Sequence, residues 1–126
     1  MMERVLERLK SLGVQPPEED MSLLASFLEK ARDWVLAETG QTSLPETLGG
    51  AVSNMAAGEY MLLLKTTGRL EALGFQEEFA VRQMSQGDTS VTYAVEGDAV
   101  SPLEAMIRKL MTPDEALLRK WRRFRW

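Results

Sequence analysis

The segment Thr47–Leu64, TLGGAVSNMAAGEYMLLL, is apolar over nearly its whole length and decides how the chain folds. Its length raises the question of a membrane span, but it contains Asn54 and Glu59. A carboxylate at mid-bilayer is unfavourable by about 2.5–3.5 kcal/mol even on lenient scales. We therefore interpret the segment as a helix buried in protein, which begins at residue 45 or 46 and continues to about Thr66.

Small side chains dominate this helix. A glycine inside a helix is unfavourable by up to about 1 kcal/mol, so several of them indicate that a neighbour approaches the backbone closely. We predict that this is the central helix of a bundle. The alternative is that part of its surface packs against a neighbouring subunit. The small residues are Gly49, Gly50, Ala51, Ser53, Ala56, Ala57 and Gly58.

Two amphipathic helices are predicted before it. Apolar residues at helical spacing indicate a short first helix that Gly13 ends, and a second helix from about Glu18 to Thr39 that Gly40 ends. We interpret the acids at positions 18–20 as solvated charges at the start of the second helix. One broad apolar face of that helix is expected to cover the core, and it comprises Met21, Leu23, Leu24, Phe27, Leu28, Ala31, Trp34 and Val35.

The pattern changes after the central helix. Apolar and polar residues alternate in segments 79–84 and 90–95, around a Gly87-Asp88 turn, which predicts a β-hairpin or strand-containing loop. SPLEAMIRKLM and TPDEALLRKWRRFRW then each open with a capping-box pattern, at Ser101 and Thr112. The predicted fold is mainly α: a small bundle of four to five helices with one short β-hairpin or strand-containing loop. Residues 1–126 form a single domain.

The composition excludes several classes of site. The chain has no cysteine and no histidine, so it carries no disulfide scaffold, no zinc site built from those residues and no histidine base. The triplet Asp88–Ser90 has the letters of an aspartic-protease site, but it falls where a hairpin turn favours Asp. The acidic runs lack the alternate-position spacing of a calcium loop. We therefore expect no catalytic residues, no metal site and no cofactor.

Charge is distributed unevenly along the chain. Five of the eight residues of Arg119–Trp126, RKWRRFRW, are basic, and none is acidic. The preceding residues contain ten basic and nineteen acidic side chains, a net charge of −9 against +5 for this basic tail. An acidic body repels phosphate, so we do not expect the whole domain to bind nucleic acid. The asymmetry instead predicts that the tail meets an acidic surface, for example on another copy.

Four interpretations of the tail are open. Leu117, Trp121 and Phe124 align on one side of a helix, so the aromatic residues could simply cover the domain's own core. A basic amphipathic helix with tryptophan is also typical of lipid surfaces, although the acidic body opposes binding to anionic lipid. Docking on a partner protein fits best, because Arg and Trp are favoured interface anchors. Contact of the terminal arginines with DNA is the fourth.

The order of these features resembles the head–tail connector (head completion) proteins of tailed phages and prophage elements. The resemblance spans about Met21 to Arg125 and departs from the family pattern in Phe75–Met84. It rests on DMSLLASFLEKARDWVLAETGQ, on LPETLGGAVSNMAAGEYM with its Leu-Pro start, on QGDTSVTY as a Gly-Asp-x-Ser-Val-x-Tyr strand, and on the LLRKWRRFR ending.

The resemblance implies a structural, non-enzymatic virion protein. Such a protein forms a ring, typically a dodecamer, below the portal protein, contacts downstream head-closure or tail proteins, and extends a channel through which DNA passes without sequence-specific binding. It would be found in the host cytoplasm and then at the head–tail interface of the virion, with no membrane partner. The expected subunit and partner contacts are Gly87, Asp88, Ser90, Val91, Tyr93, Arg119, Lys120, Trp121, Arg122, Arg123, Phe124, Arg125 and Trp126. The alternative is a nucleic-acid-binding regulator that uses the basic C-terminal helix.

Overall fold

A computed structural model describes residues 1–73, 75 and 102–122. This part of the chain is helical, which confirms the mainly α fold. The predicted β-hairpin lies outside the described residues, as do Gly87, Asp88, Ser90, Val91 and Tyr93. Short 3₁₀ turns precede the second and third helices. The α-helices are α1 (Met2–Ser11), α2 (Met21–Thr39), α3 (Gly49–Thr66), α4 (Pro102–Met111) and α5 (Glu115–Trp121).

Helix α3 is the centre of the bundle, as its sequence predicted. It packs against α1, α2 and α4, whereas α5 packs against α2. Burial extends around much of α3 because neighbours cover it on several sides, and its fully buried side chains include Val52, Tyr60 and Leu64. Within the described part of the chain, no helix is both long enough and apolar enough to cross a membrane.

The close approach predicted for the small residues occurs at Gly58. A Cβ atom at this position would lie 2.7 Å from Cγ of Met111 and 2.9 Å from Cβ of Leu110, so only glycine allows α4 to pack there. Gly50, in the same helix, has no such neighbour within 4 Å. The glycines of α3 therefore serve different purposes, and composition alone did not distinguish them.

Helix ends follow the predicted signals in two cases and depart in a third. α2 ends at Gly40, which adopts a left-handed conformation with φ 70°, and α3 ends at Thr66. The predicted cap of the last helix, Thr112, is wrong. Thr112 N–H donates to the Arg108 carbonyl at the end of α4, and Asp114 caps α5 instead, its Oδ1 accepting from Ala116 N–H at 3.0 Å.

Trp34 corrects the prediction for α2, because it is 42% exposed rather than buried in the core. The centre of the buried stripe is occupied by Leu24, Leu28 and Val35. At about 100° per residue, Trp34 lies roughly 90° from that centre, so it falls at the edge of the stripe.

Asp20 corrects a second prediction, because it is buried instead of solvated. Its Oδ2 accepts hydrogen bonds from the Tyr60 hydroxyl at 2.6 Å and from Arg69 Nη2 at 2.9 Å. The hydrogen bond from Tyr60 lowers the pKa of Asp20, and Arg69 adds to this effect while burial opposes it. Burial, and then the hydrogen bond to Asp20, raise the pKa of Tyr60 above its ordinary value. The three side chains join the turn before α2, the middle of α3 and the segment after α3.

Replacing Gly58 and Gly50 by alanine should change the free energy of unfolding in opposite directions. Gly58→Ala is expected to lower the free energy of unfolding by about 1–3 kcal/mol, because the new methyl group displaces α4. The matched control Gly50→Ala should raise it by up to about 1 kcal/mol through helix propensity alone. Urea unfolding followed by circular dichroism measures both. Equal shifts in the two variants would contradict the close approach of α4.

Asp20 should contribute to stability in a pH-dependent manner. Its folded-state pKa is depressed, so its contribution is complete above the unfolded value of about 3.9 and is lost as the pH falls through the folded-state pKa. The difference in unfolding free energy between the wild type and Asp20→Asn should therefore shrink below about pH 4. Urea titrations at pH 6, 4 and 3 test this, and a constant difference would show that the charge of Asp20 is not what stabilises the fold.

Candidate interaction surface

Helix α5 carries the first part of the basic tail, and its apolar side holds it on the body. Leu118 is fully buried, and Leu117 and Trp121 pack partly against the core. Leu118 therefore anchors the short helix, and the partly buried side chains of Leu117 and Trp121 lie on either side of it. This arrangement fixes the direction in which Arg119 and Lys120 project.

Trp121 supports the interpretation that the tail's aromatic residues cover the domain's own core. Its backbone carbonyl accepts a hydrogen bond from Gln41 Nε2 at 2.6 Å, which ties the end of α5 to the end of α2. The indole Nε1 is buried and has no hydrogen-bond partner among the residues that the structure describes.

Arg122 joins the tail to the acidic body within the same chain. Its Nη1 lies 2.9 Å from Glu115 Oε1, its Nη2 lies 3.5 Å from Glu38 Oε1, and its Nε donates to the Glu38 carbonyl at 3.3 Å. Exposed ion pairs of this kind contribute at most about 1 kcal/mol each. The opposite charges predicted from sequence thus meet at one point inside a single copy.

The remaining basic tail residues divide into two groups. Arg119 and Lys120 are exposed, and neither forms an ion pair with any residue that the structure describes. They form a pair of exposed positive charges on an anchored helix. Arg123, Phe124, Arg125 and Trp126, which the sequence also assigns to the interface, lie outside the described residues.

A groove that the sequence did not predict lies beside α5. Its volume is about 500 Å³, and we call it the Trp34 groove. Residues of α2, of α3 and of the segment that joins α4 to α5 line it. A tryptophan at the edge of a core stripe was the one signal that could have indicated it. Its lining residues are Lys30, Ala31, Trp34, Met55, Glu59, Met111, Thr112, Pro113 and Glu115.

The Trp34 groove combines an apolar interior with a charged border. Lys30 Nζ lies 3.2 Å from Glu59 Oε1 across one side. Glu115 also lines the groove, and its carboxylate pairs with Arg122. Such a combination of aromatic, thioether and carboxylate groups can accept an apolar or aromatic side chain flanked by positive charge.

Within residues 1–73, 75 and 102–122, no group of three acidic, histidine or cysteine side chains is placed to hold a metal ion. Comparison with protein-family models, with curated proteins and with solved structures finds no match for this chain. The candidate surface is therefore defined by two features of the chain itself: the anchored basic helix α5 and the Trp34 groove beside it.

The anchoring of α5 can be tested by comparing a buried position with an exposed one. Leu118→Ala should lower the free energy of unfolding by about 2–5 kcal/mol, because it leaves a cavity under the helix. Lys120→Ala, two residues away, should change it by less than about 0.5 kcal/mol. Guanidinium unfolding measures both values. A small effect of Leu118→Ala would mean that α5 is not held by this contact.

Proposed function

We propose that this chain is a structural virion assembly protein, a head–tail connector of a tailed phage or prophage element. In this role it forms a ring beneath the portal, extends the DNA channel and performs no catalysis. The observation that carries the proposal is the exposed pair Arg119 and Lys120 on a helix that the body holds in place. The resemblance of four successive sequence segments to the connector family supports it.

An anchored basic helix suits docking on a partner protein. Because Leu118 and Trp121 fix α5 on the body, the backbone that carries the cationic side chains needs no further ordering when they bind. Arginine is enriched among residues that dominate interface energies, and tryptophan accompanies it in the last position of this tail. We assign the tail to contacts with the portal or with the adjacent subunit.

The acidic body suits a channel component. With its net charge of −9, the body would repel the phosphates of DNA that passes through the ring, so DNA could slide without being held. Downstream head-closure or tail proteins would contact the opposite end of the ring. Gly87–Tyr93 stays assigned to a subunit contact on the basis of the resemblance.

The second candidate function is a nucleic-acid-binding regulator, which the same exposed cations favour. If Arg119 and Lys120 contact phosphates, DNA binding at near-physiological salt should fall steeply as salt rises. Replacing each of them should then reduce the slope of log affinity against log salt by about 1. The connector proposal expects no such binding by the isolated protein.

Docking on the portal tests the proposal directly. The double variant Arg119→Glu/Lys120→Glu should lose binding to the portal protein of the same genome, because two exposed anchors reverse their charge. Electron microscopy and co-sedimentation of the mixed proteins measure docking. The matched control is Lys10→Glu/Arg32→Glu, which makes the same change in net charge at two other exposed positions.

The design keeps α5 in place. Removing all of Arg119–Trp126 would also delete Trp121 and its contact with Gln41, so charge reversal is the cleaner test. Normal docking by the Arg119→Glu/Lys120→Glu variant would show that the tail assignment is wrong. Failure of the wild-type protein both to dock and to form rings with the portal would reject the connector function itself.

A further inference from the structure

We propose that the Trp34 groove binds the last four residues of the sequence, Arg123–Trp126, from a second copy of this chain. The ring role of this contact rests on the proposed function, but the contact itself follows from the groove and the tail. The segment offers two arginines and two aromatic side chains, Arg-Phe-Arg-Trp. We call it the RFRW segment.

The groove has the shape and surface for such a segment. Trp34 contributes a large exposed indole to the lining, Pro113 lines the groove as well, and Met55 and Met111 provide flexible apolar surface. Methionine side chains adapt to aromatic rings and contact them favourably. A volume of about 500 Å³ leaves room for an aromatic side chain to enter.

Charge favours this occupant over a neutral or acidic peptide. Three carboxylates lie on or beside the groove, those of Glu38, Glu59 and Glu115. The two cations Lys30 and Arg122 pair with them, which leaves one negative charge in excess. Glu38 lies one helical turn beyond Trp34 on the same helix. An arginine of the RFRW segment can therefore lie over the face of Trp34 while it approaches these acids. An acidic partner would meet the same groups with repulsion.

The direction of α5 indicates that the segment comes from another copy. α5 begins at Glu115 on the groove and ends at Trp121, which contacts Gln41 beyond the end of α2. The helix thus carries the chain about 10 Å away from the groove. Four residues extend at most about 14 Å, so a return within the same copy would need an immediate reversal at Arg122.

A tail that enters the groove of the next copy forms a head-to-tail contact. Contacts of this kind are heterologous: each copy uses one surface as donor and a different one as acceptor. They generate rings when the rotation between copies closes and open filaments when it does not. The proposed contact would therefore supply a repeating link between neighbouring subunits of a ring.

The experiment uses three full-length variants and measures self-association by sedimentation velocity over a range of concentrations. Trp34→Ser removes the indole from the groove lining, and Arg123→Glu/Arg125→Glu reverses the charge of the segment. Both should weaken self-association about tenfold or more, as expected for interface anchors. Leu62→Ser is the matched control: Leu62 is similarly exposed, at 39%, but does not line the groove, so its variant should associate as the wild type does.

Mixing the first two variants gives the sharpest result. The Trp34→Ser protein keeps an intact segment, and the Arg123→Glu/Arg125→Glu protein keeps an intact groove. A head-to-tail contact predicts that the mixture forms one-to-one dimers and nothing larger, although each variant alone is monomeric. Circular dichroism and urea unfolding would establish that both variants are folded.

Several outcomes would overturn the inference. A wild type that stays monomeric at high concentration would exclude the contact between copies, whether or not the segment folds back on its own groove. If the Trp34→Ser variant lost self-association but the Arg123→Glu/Arg125→Glu variant kept it, something other than the RFRW segment would occupy the groove. Failure of the mixture to form dimers would exclude a head-to-tail arrangement. None of these results depends on portal docking, so the connector proposal is tested separately.

Discussion

The close contact between α3 and α4 at Gly58 is the constraint on which the rest of this structure depends. With no side chain at Gly58, α4 packs its last turn directly on the backbone of α3. That position determines where Thr112 and Pro113 turn the chain and where α5 starts. The Trp34 groove lies at this junction, because Met111, Thr112 and Pro113 line it, and contacts with α2 then hold α5 and Arg122 beside it.

A buried polar network complements the apolar core. Asp20 joins the turn before α2 to Tyr60 and Arg69, which lie 40 and 49 residues further along the chain, and each hydrogen bond is short. A buried carboxylate is strongly unfavourable unless it is paired, so this network specifies one arrangement of the turn before α2 against α3. The network therefore fixes the start of the second helix against the central helix.

The surface features combine into a consistent picture of assembly. The body is acidic, the tail is basic, and α5 presents the tail's first cations from a fixed position. The Trp34 groove adds an acceptor of complementary chemistry on the same side of the body. We interpret donor and acceptor together as parts of a repeating contact, in accordance with the proposed role in a ring below a portal.

The local elements were determined by the sequence alone. Apolar spacing at 3.6 residues placed the helices, and Gly40 marked the end of α2, because these signals depend only on nearby residues. The small residues of Thr47–Leu64 likewise identified the central helix. The charge asymmetry and the absence of cysteine and histidine are also properties of the sequence itself. The connector function stays a proposal, drawn from resemblance and surface chemistry.

Only the tertiary structure decided which of several equivalent residues meet. Gly50 and Gly58 look alike in the sequence, yet one faces open space and the other faces α4. Trp34 looked like a core residue, and Asp20 looked like a solvated charge. Their surroundings depend on side chains from helices distant in sequence, and on competition such as that between Thr112 and Asp114 for one helix cap. Such long-range contacts leave no periodic trace in a single chain, so the Trp34 groove could be recognised only once the helices were packed.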